Sequence, residues 1–190
     1  MNMDKNKVII FCAPSGAGKT TLVKICMSIF PELSFSISAT TRDLRGREVD
    51  GVDYYFLSVL DFKNKIEGGD FVEWEEVYED QFYGTLKKEL TRIHFEGRIP
   101  IFDVDVKGAL NLKKYFGVSA LMVFVHASME DIEKRLRARH TETEEKIQMR
   151  LARLPEEMVY AEMADVVIEN IDLEKAKKDS IKALGDFLRP

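Results

Sequence analysis

Residues 13 to 20 read Ala-Pro-Ser-Gly-Ala-Gly-Lys-Thr, a combination suited to holding a chain of phosphates. Gly16 and Gly18 allow a tight turn and let backbone N–H groups close on an anion. Lys19 can reach β- and γ-phosphate oxygens, and the Thr20 hydroxyl can ligate magnesium. The spacing follows G-x-x-x-x-G-K-[ST] with one departure, Ala13 in place of the first glycine, which is the mildest replacement available. A second group is Thr40-Thr41-Arg42-Asp43-Leu44-Arg45-Gly46. Two arginines three residues apart, beside hydroxyls in a loop, can clamp a phosphate bidentately. A third group is Asp103 and Asp105, at the end of the apolar run Ile101-Phe102. A carboxylate there can hold a metal ion or its waters, although Asp105 reads equally well as the cap of a following helix. The chemistry implied is a nucleoside triphosphate, a divalent cation and a second phosphate-bearing molecule.

These groups need elements to position them. Val8-Ile9-Ile10-Phe11-Cys12 precedes the glycine-rich turn, and Thr21-Leu22-Val23 continues a helix after it, so the loop joins a strand to a helix N-terminus where the helix dipole favours anions. Unbroken apolar runs predict strands buried on both faces at 7–12, 99–103, 120–126 and 166–169. Helical patterns cover 19–29, 85–96, 106–115, 129–138, 144–160 and 173–188, with capping boxes at Ser128-x-x-Asp131 and Thr141-x-x-Glu144. Alternation of strand and helix predicts an α/β fold in three layers around a parallel sheet. Residues 34–85 differ. Short alternating pieces such as Phe35-Ser36-Ile37-Ser38 and Phe71-Val72-Glu73-Trp74 lie between turn signals at Gly46, Gly51 and Gly68-Gly69, which predicts an inserted, mainly antiparallel sheet. Nine of the 19 aromatic residues fall between Tyr54 and Tyr83, enough to fill a small core and to offer a ring or phenol to a ligand.

At 190 residues the chain suits one domain. Its net charge of −5 argues against a broad nucleic-acid surface, and no apolar run approaches a membrane span. Cys12 and Cys26 are too few for a disulfide framework and sit in apolar settings, so reduced thiols and a cytoplasmic location are expected. A monomer or weak homo-oligomer is expected, with small-molecule partners only.

The order of motifs resembles the guanylate kinase family of nucleoside monophosphate kinases, within the P-loop NTPases. The resemblance is carried by residues 13–22, Ser38-x-Thr40-Thr41-Arg42-x-x-Arg45, Glu48-Val49-Asp50-Gly51-x-x-Tyr54, Phe71-Val72-Glu73-Trp74 and Phe82-Tyr83-Gly84-Thr85. It continues through Asp103-Val104-Asp105, Arg139-His140-Thr141-Glu142-Thr143-Glu144-Glu145 and Val167-Ile168-Glu169-Asn170. It implies a single domain with core 1–33, 86–127 and 155–190, a GMP-binding insertion at 34–85 and a helical lid at 128–154. It also implies transfer of the γ-phosphoryl of ATP to GMP, and to dGMP, with Mg²⁺. By this resemblance Ala13, Pro14, Ser15, Gly16, Ala17, Gly18, Lys19, Thr20 and Thr21 wrap the ATP phosphates, with Arg135, Arg139 and Asn170 also on ATP. Ser38, Arg42, Arg45, Tyr54, Glu73, Tyr83, Thr85 and Asp103 face GMP. Thr20 ligates Mg²⁺, with Asp103 and Asp105 acting through water, and Lys19, Arg42, Arg139 and Arg150 carry catalysis.

The chemistry agrees with the base-reading part. Guanine offers N1–H and N2–H₂ as adjacent donors, which a carboxylate such as Glu73 accepts together, while hydroxyls on Ser38 and Thr85 can donate to O6. Without the resemblance Glu73 would be one more strand carboxylate. Arg135 and Arg139 are four apart and share a helix face, with Arg150 on the next helix; the plainer reading pairs them with Glu142, Glu144 and Glu145 on a solvated face. Arg137 and Arg153 read as surface residues, and neither His94 nor His126 is given a catalytic part. Three residues depart from the family pattern: Leu44 for proline, Lys107 for glutamine and His140 for glycine. The alternative from another class is a binding module of the same fold that recognises phosphorylated proteins. Retention of Lys19, Thr20 and the arginines speaks for the enzyme.

Overall fold

The computed structural model describes residues 7–138 and 143–189. Arg139, His140, Thr141 and Glu142 lie outside the described residues, and with them part of the expected lid.

Five strands form one all-parallel sheet: β1 (Val8–Cys12), β2 (Leu33–Phe35), β7 (Ile99–Val104), β8 (Ala120–His126) and β9 (Val166–Glu169). Their order is β2-β7-β1-β8-β9, so β1, which feeds the glycine-rich loop, is central. Strand alternation explains why β1 is apolar at every position. Ile9 and Phe11 pack on one face with Leu22, Val23 and Cys26 of α1 (Lys19–Ile29) and Ala176 and Leu184 of α7 (Leu173–Leu188). Val8, Ile10 and Cys12 pack on the other, with Leu90 of α3 (Lys87–Phe95) and Val106, Ala109 and Leu112 of α4 (Val106–Phe116). Two aliphatic layers therefore clamp the strand that carries the loop. Burial pushes the thiol of Cys12 up to about 12, and both cysteines are free thiols buried in the core.

A second sheet is built between β2 and α3, from β3 (Ala39–Thr40), β4 (Tyr55–Phe56), β5 (Phe71–Tyr78) and β6 (Gln81–Leu86) in the order β4-β3-β6-β5. It is antiparallel except for the β3–β4 pair. Its small core centres on Phe62 of α2 (Val59–Glu67), whose ring stacks on Phe71 at 4.3 Å and Phe82 at 5.3 Å. Four of the nine aromatics noted in the sequence, Tyr55, Phe62, Phe71 and Phe82, belong to this core, and Tyr54, Tyr78 and Tyr83 line the cleft described below.

Several local expectations are corrected. Phe35, read with Ser36-Ile37-Ser38 as part of the inserted sheet, ends a strand of the parallel sheet, where Leu33 pairs with Ile99. The helix expected from residue 85 begins at Lys87, because Thr85 and Leu86 complete β6 against β5. Helix α2 was not expected at all. The Ser128–Asp131 box is present, with Asp131 N–H donating to Ser128 Oγ at 3.1 Å at the start of α5 (Met129–Ala138). At α6 (Glu144–Met158) Thr143 is the cap, and Thr141 of the expected box lies outside the described residues. A 3-10 turn at Val159–Met163 replaces the last residues of the expected helix. Among the described residues no helix is long and apolar enough to cross a membrane.

Candidate active site

The loop after β1 is held open by geometry that only glycine supplies. Gly16 and Gly18 have φ of +93° and +92°, and a Cβ on Gly18 would also collide with Asn170 Nδ2. Gly18 caps α1, whose first turn carries no side-chain cap and no acidic residue, which leaves that helix N-terminus suited to an anion. Behind the loop, Asn170 Nδ2 donates to Ala17 O at 2.6 Å. Arg135 Nη1 donates to the same carbonyl at 2.9 Å, and its Nη2 donates to Asn170 O at 2.7 Å. Arg135 and Asn170 thus brace the loop's backbone and do not line the cleft, nor does Ala17.

Lys19 bonds to Asp103 Oδ1, and Thr20 Oγ1 donates to Asp103 Oδ2 at 2.6 Å. Burial alone would lower the Lys19 pKa; the adjoining Asp103 carboxylate outweighs it and holds the ammonium above its ordinary value. Asp105 plays a different part from Asp103. It accepts from Gly108 N–H at 2.8 Å and caps α4, the plainer of its two sequence readings, while also lining the cleft. Arg150, on α6, reaches the loop by a bond from Nη1 to Ser15 Oγ.

The cleft, of about 820 Å³, runs from this loop to the second sheet. It gathers Ala13 to Gly16, Gly18 to Thr21, Ser38, Arg42, Arg45, Tyr54, Glu73, Tyr83, Asp103, Asp105 and Arg150. Residues drawn from five elements and four loops thus share one space. Arg42 lies over the Tyr54 ring at 4.7 Å and is gripped bidentately by Glu48, with both N–O distances 2.6 Å. Glu48 also accepts from Arg45 N–H at 2.8 Å, so one carboxylate sets the plane of one arginine and the backbone of the other. The Arg42 bond in turn pulls Glu48 below the usual carboxylate range. Tyr54 and Tyr83 meet edge to face at 6.1 Å, and burial raises the Tyr54 phenol.

Glu73, on β5, is 8% exposed. Burial pushes its carboxyl up to about 7, against the lowering effect of the hydrogen bond from Thr85 and with a further rise from Asp105. Thr85 Oγ1 donates to Glu73 Oε1 at 2.7 Å, so that hydroxyl is committed to the carboxylate rather than offered to the cleft, and Thr85 itself does not line it. The remaining oxygen, Oε2, faces Gly108, where a Cβ would approach to 3.3 Å. Glycine keeps that oxygen clear.

Among the cleft residues not singled out as site residues from the sequence are Glu48, Tyr78, Arg153 and Glu157. Arg153, read as a surface residue, lies over the Tyr78 ring at 5.5 Å and pairs with Glu157 at 3.6 Å, linking α6 to the second sheet. Its spacing of three from Arg150 on one helix was the available signal. For Glu48 the signal was an acid six residues beyond Arg42 in the same loop. Lys107, the departure from glutamine, pairs with Glu75 at 3.2 Å.

Comparison with known proteins bears on what this cleft is. The family model described as guanylate kinase matches residues 5–187. A guanylate kinase of Salinibacter ruber is 44% identical over 187 residues, covering 98% of this chain and 99% of that one. A guanylate kinase of Bacteroides fragilis is 45% identical over 183 residues, covering 96% and 90%. Among solved structures, the guanylate kinase of Anaplasma phagocytophilum superposes with a TM-score of 0.74 at 25% identity, covering 96% of this chain and 87% of that one. Sequence order, cleft and relatives agree, and the chain belongs to the guanylate kinase family.

Proposed function

We propose that the chain transfers the γ-phosphoryl of ATP to GMP, giving ADP and GDP. The observation that carries this reading is a single cleft with Lys19 and the glycine-rich loop on one side and Glu73 with Arg42 on the other. In this reading the triphosphate lies along the loop backbone and the first turn of α1, with Lys19 and Arg150 against its outer phosphates. The GMP phosphate is held by Arg42, Arg45, Tyr54 and Tyr83. Arg135 and Asn170 serve the donor through the loop they brace, and Arg139 is assigned to the transferring phosphate by resemblance.

Glu73 Oε1 and Oε2 accept the guanine N1–H and N2–H₂ donors, and the Ser38 hydroxyl donates to O6. Thr85 acts on the base by orienting Glu73. Adenine would present Glu73 with a lone pair at N1 and no 2-amino group, leaving a buried carboxylate without partners. Sites built on such contacts reject the wrong base by roughly 10⁴-fold in favourable cases. A phosphate monoester is largely dianionic near neutral pH, its second pKa being about 6, so the acceptor needs no general base. Catalysis is then alignment of the two phosphates plus neutralisation of charge on the transferring group by fixed cations.

Magnesium fits the donor set. Among the described residues no group of three or more His, Cys, Asp or Glu side chains is placed to hold a metal. Such a site suits an ion that arrives on the triphosphate and keeps most of its waters. Thr20 Oγ1 and the Asp103 carboxylate, 2.6 Å apart, are the hard oxygens that would hold it. When bound it supplies charge neutralisation across the β- and γ-phosphates.

The test is ADP release from ATP and Mg²⁺ with GMP, dGMP, AMP, CMP or UMP as acceptor. Rapid turnover with GMP and little with AMP or the pyrimidines is expected. Equal turnover with AMP, or none with GMP, would contradict the assignment.

A further inference from the structure

One buried charge takes no part in the mechanism above. Glu89, on α3, is 1% exposed, yet its carboxyl is held below the ordinary value: burial raises it, and the bonds from Arg92, Ile37 N–H and Tyr55 together outweigh that. Its Oε1 accepts from Ile37 N–H at 3.0 Å and from Arg92 Nη2 at 2.6 Å. Its Oε2 accepts from the Tyr55 hydroxyl at 2.9 Å and from Arg92 Nε at 3.1 Å. Arg92 Nη2 also donates to Phe35 O at 3.1 Å. Three elements far apart in sequence therefore meet on one carboxylate.

What those bonds hold is informative. Ser36 to Ser38 is the stretch by which the chain leaves the parallel sheet and enters the second sheet. Ser36 N–H donates to Ile101 O at 3.0 Å, but the buried Ser36 Oγ has no partner among the described residues, so the stretch is fixed there through its backbone. The next fixed point is Ile37 N–H on Glu89, immediately before Ser38. Tyr55, the second contact, immediately follows Tyr54, and its N–H donates to Ser38 O at 2.9 Å. Lys88 Nζ sits over the Tyr55 ring at 4.6 Å. The carboxylate thus ties the neighbour of the base-reading hydroxyl to the neighbour of a phosphate-binding phenol.

We propose that Glu89 is a positioning residue for the acceptor nucleotide, setting the distance between the base end and the phosphate end of its site from behind. This rests on the reading of Ser38 and Tyr54 as acceptor-binding residues. Glu89 does not line the cleft, and its hydrogen-bond partners Ile37, Tyr55 and Arg92 all lie outside the donor loop, so its effect should fall on the acceptor. An ion pair that merely stabilised the fold would not separate the two substrates.

The experiment measures KM for GMP, KM for ATP, kcat and thermal unfolding in Tyr55→Phe, Glu89→Gln, Glu89→Ala and, as a control, Ser38→Ala. Tyr55→Phe removes one hydrogen bond and keeps the ring. It should raise KM for GMP about 3- to 10-fold, in line with one hydrogen bond, and leave KM for ATP within about twofold. Glu89→Gln retains an oxygen for Ile37 N–H and should recover part of what Glu89→Ala loses. If Tyr55→Phe and Glu89→Gln leave both KM values unchanged, or shift both together, while Ser38→Ala weakens GMP, the positioning role is wrong and the acceptor site stands. If Ser38→Ala also leaves GMP unaffected, the acceptor-site reading fails and takes this proposal with it. Should Glu89→Ala not fold, the Tyr55→Phe and Glu89→Gln results decide.

Discussion

Around Lys19 the site is mostly backbone, whereas around Glu73 it is mostly side chain. The donor end is one contiguous loop on the central strand of a sheet buried on both faces, with its glycines at positive φ and its Ala17 carbonyl braced by Arg135 and Asn170. Backbone N–H groups recognise phosphate whatever base it carries. The acceptor end is assembled from loops and strands between Ser38 and Asp105, and carboxylates set its shape: Glu48 aligns Arg42, Thr85 orients Glu73, and Glu89 ties Ile37 to Tyr55. Discrimination belongs at that end, because a buried carboxylate left without its partners costs far more than a neutral group does. In the proposed reading the chain separates a general phosphate grip from a specific base reader and joins them by one cleft.

Substitutions at the two ends should behave differently. The largest effect is expected from Lys19→Ala, which removes a fixed cation from the transferring phosphate. Turnover should fall roughly 10²- to 10³-fold or more, for every acceptor alike, with far-UV circular dichroism unchanged. Glu73→Gln should lower kcat/KM for GMP by about 10²-fold, the scale of a lost buried contact to a charged group, and leave KM for ATP nearly unaltered. A parallel loss for ATP would erase the distinction between the ends. The smallest effect is expected from Arg153→Ala. Its contact with the Tyr78 ring is partly exposed, so kcat/KM should change only about two- to fivefold. A loss near that of Lys19→Ala would make the link between α6 and the second sheet part of the phosphate grip itself.

The same contrast governs what could be read from the sequence. The donor loop is local, and the apolar runs flanking it leave few alternatives, so loop, central strand and following helix were legible from 15 residues. Strand β2 was missed as a core strand because three residues carry little periodicity and its partner, β7, lies more than 60 residues away. Helix α2 was missed because only Phe62 is fully buried along its nine residues, although Ser58 and Asp61 form the capping pattern that begins it. Glu73 gained a role only through resemblance, since a strand carboxylate shows nothing of its burial. Glu89 stayed invisible because the contacts that matter, Ile37 and Tyr55, lie far away in sequence; Arg153 offered only its spacing from Arg150, while its Tyr78 partner lies across the fold.

The central claim is that one buried carboxylate reads the acceptor base, and its ionisation offers the most direct measurement. Glu73 titrates at about 7 in the cleft, above the ordinary 4.5, and only the ionised form accepts two guanine donors. The kcat/KM for GMP, which reports the free enzyme, should be recorded from pH 5.5 to 8.5 in the native chain and in Glu73→Gln. The account predicts a native profile that is flat above about pH 8, falls below 7 approaching tenfold per pH unit, and steepens further below 6 as the acceptor phosphate also protonates. The variant should be lower throughout and keep only the acceptor phosphate's own titration near pH 6. Profiles of the same shape in both proteins, or a native value that rises as pH falls through 7, would contradict it.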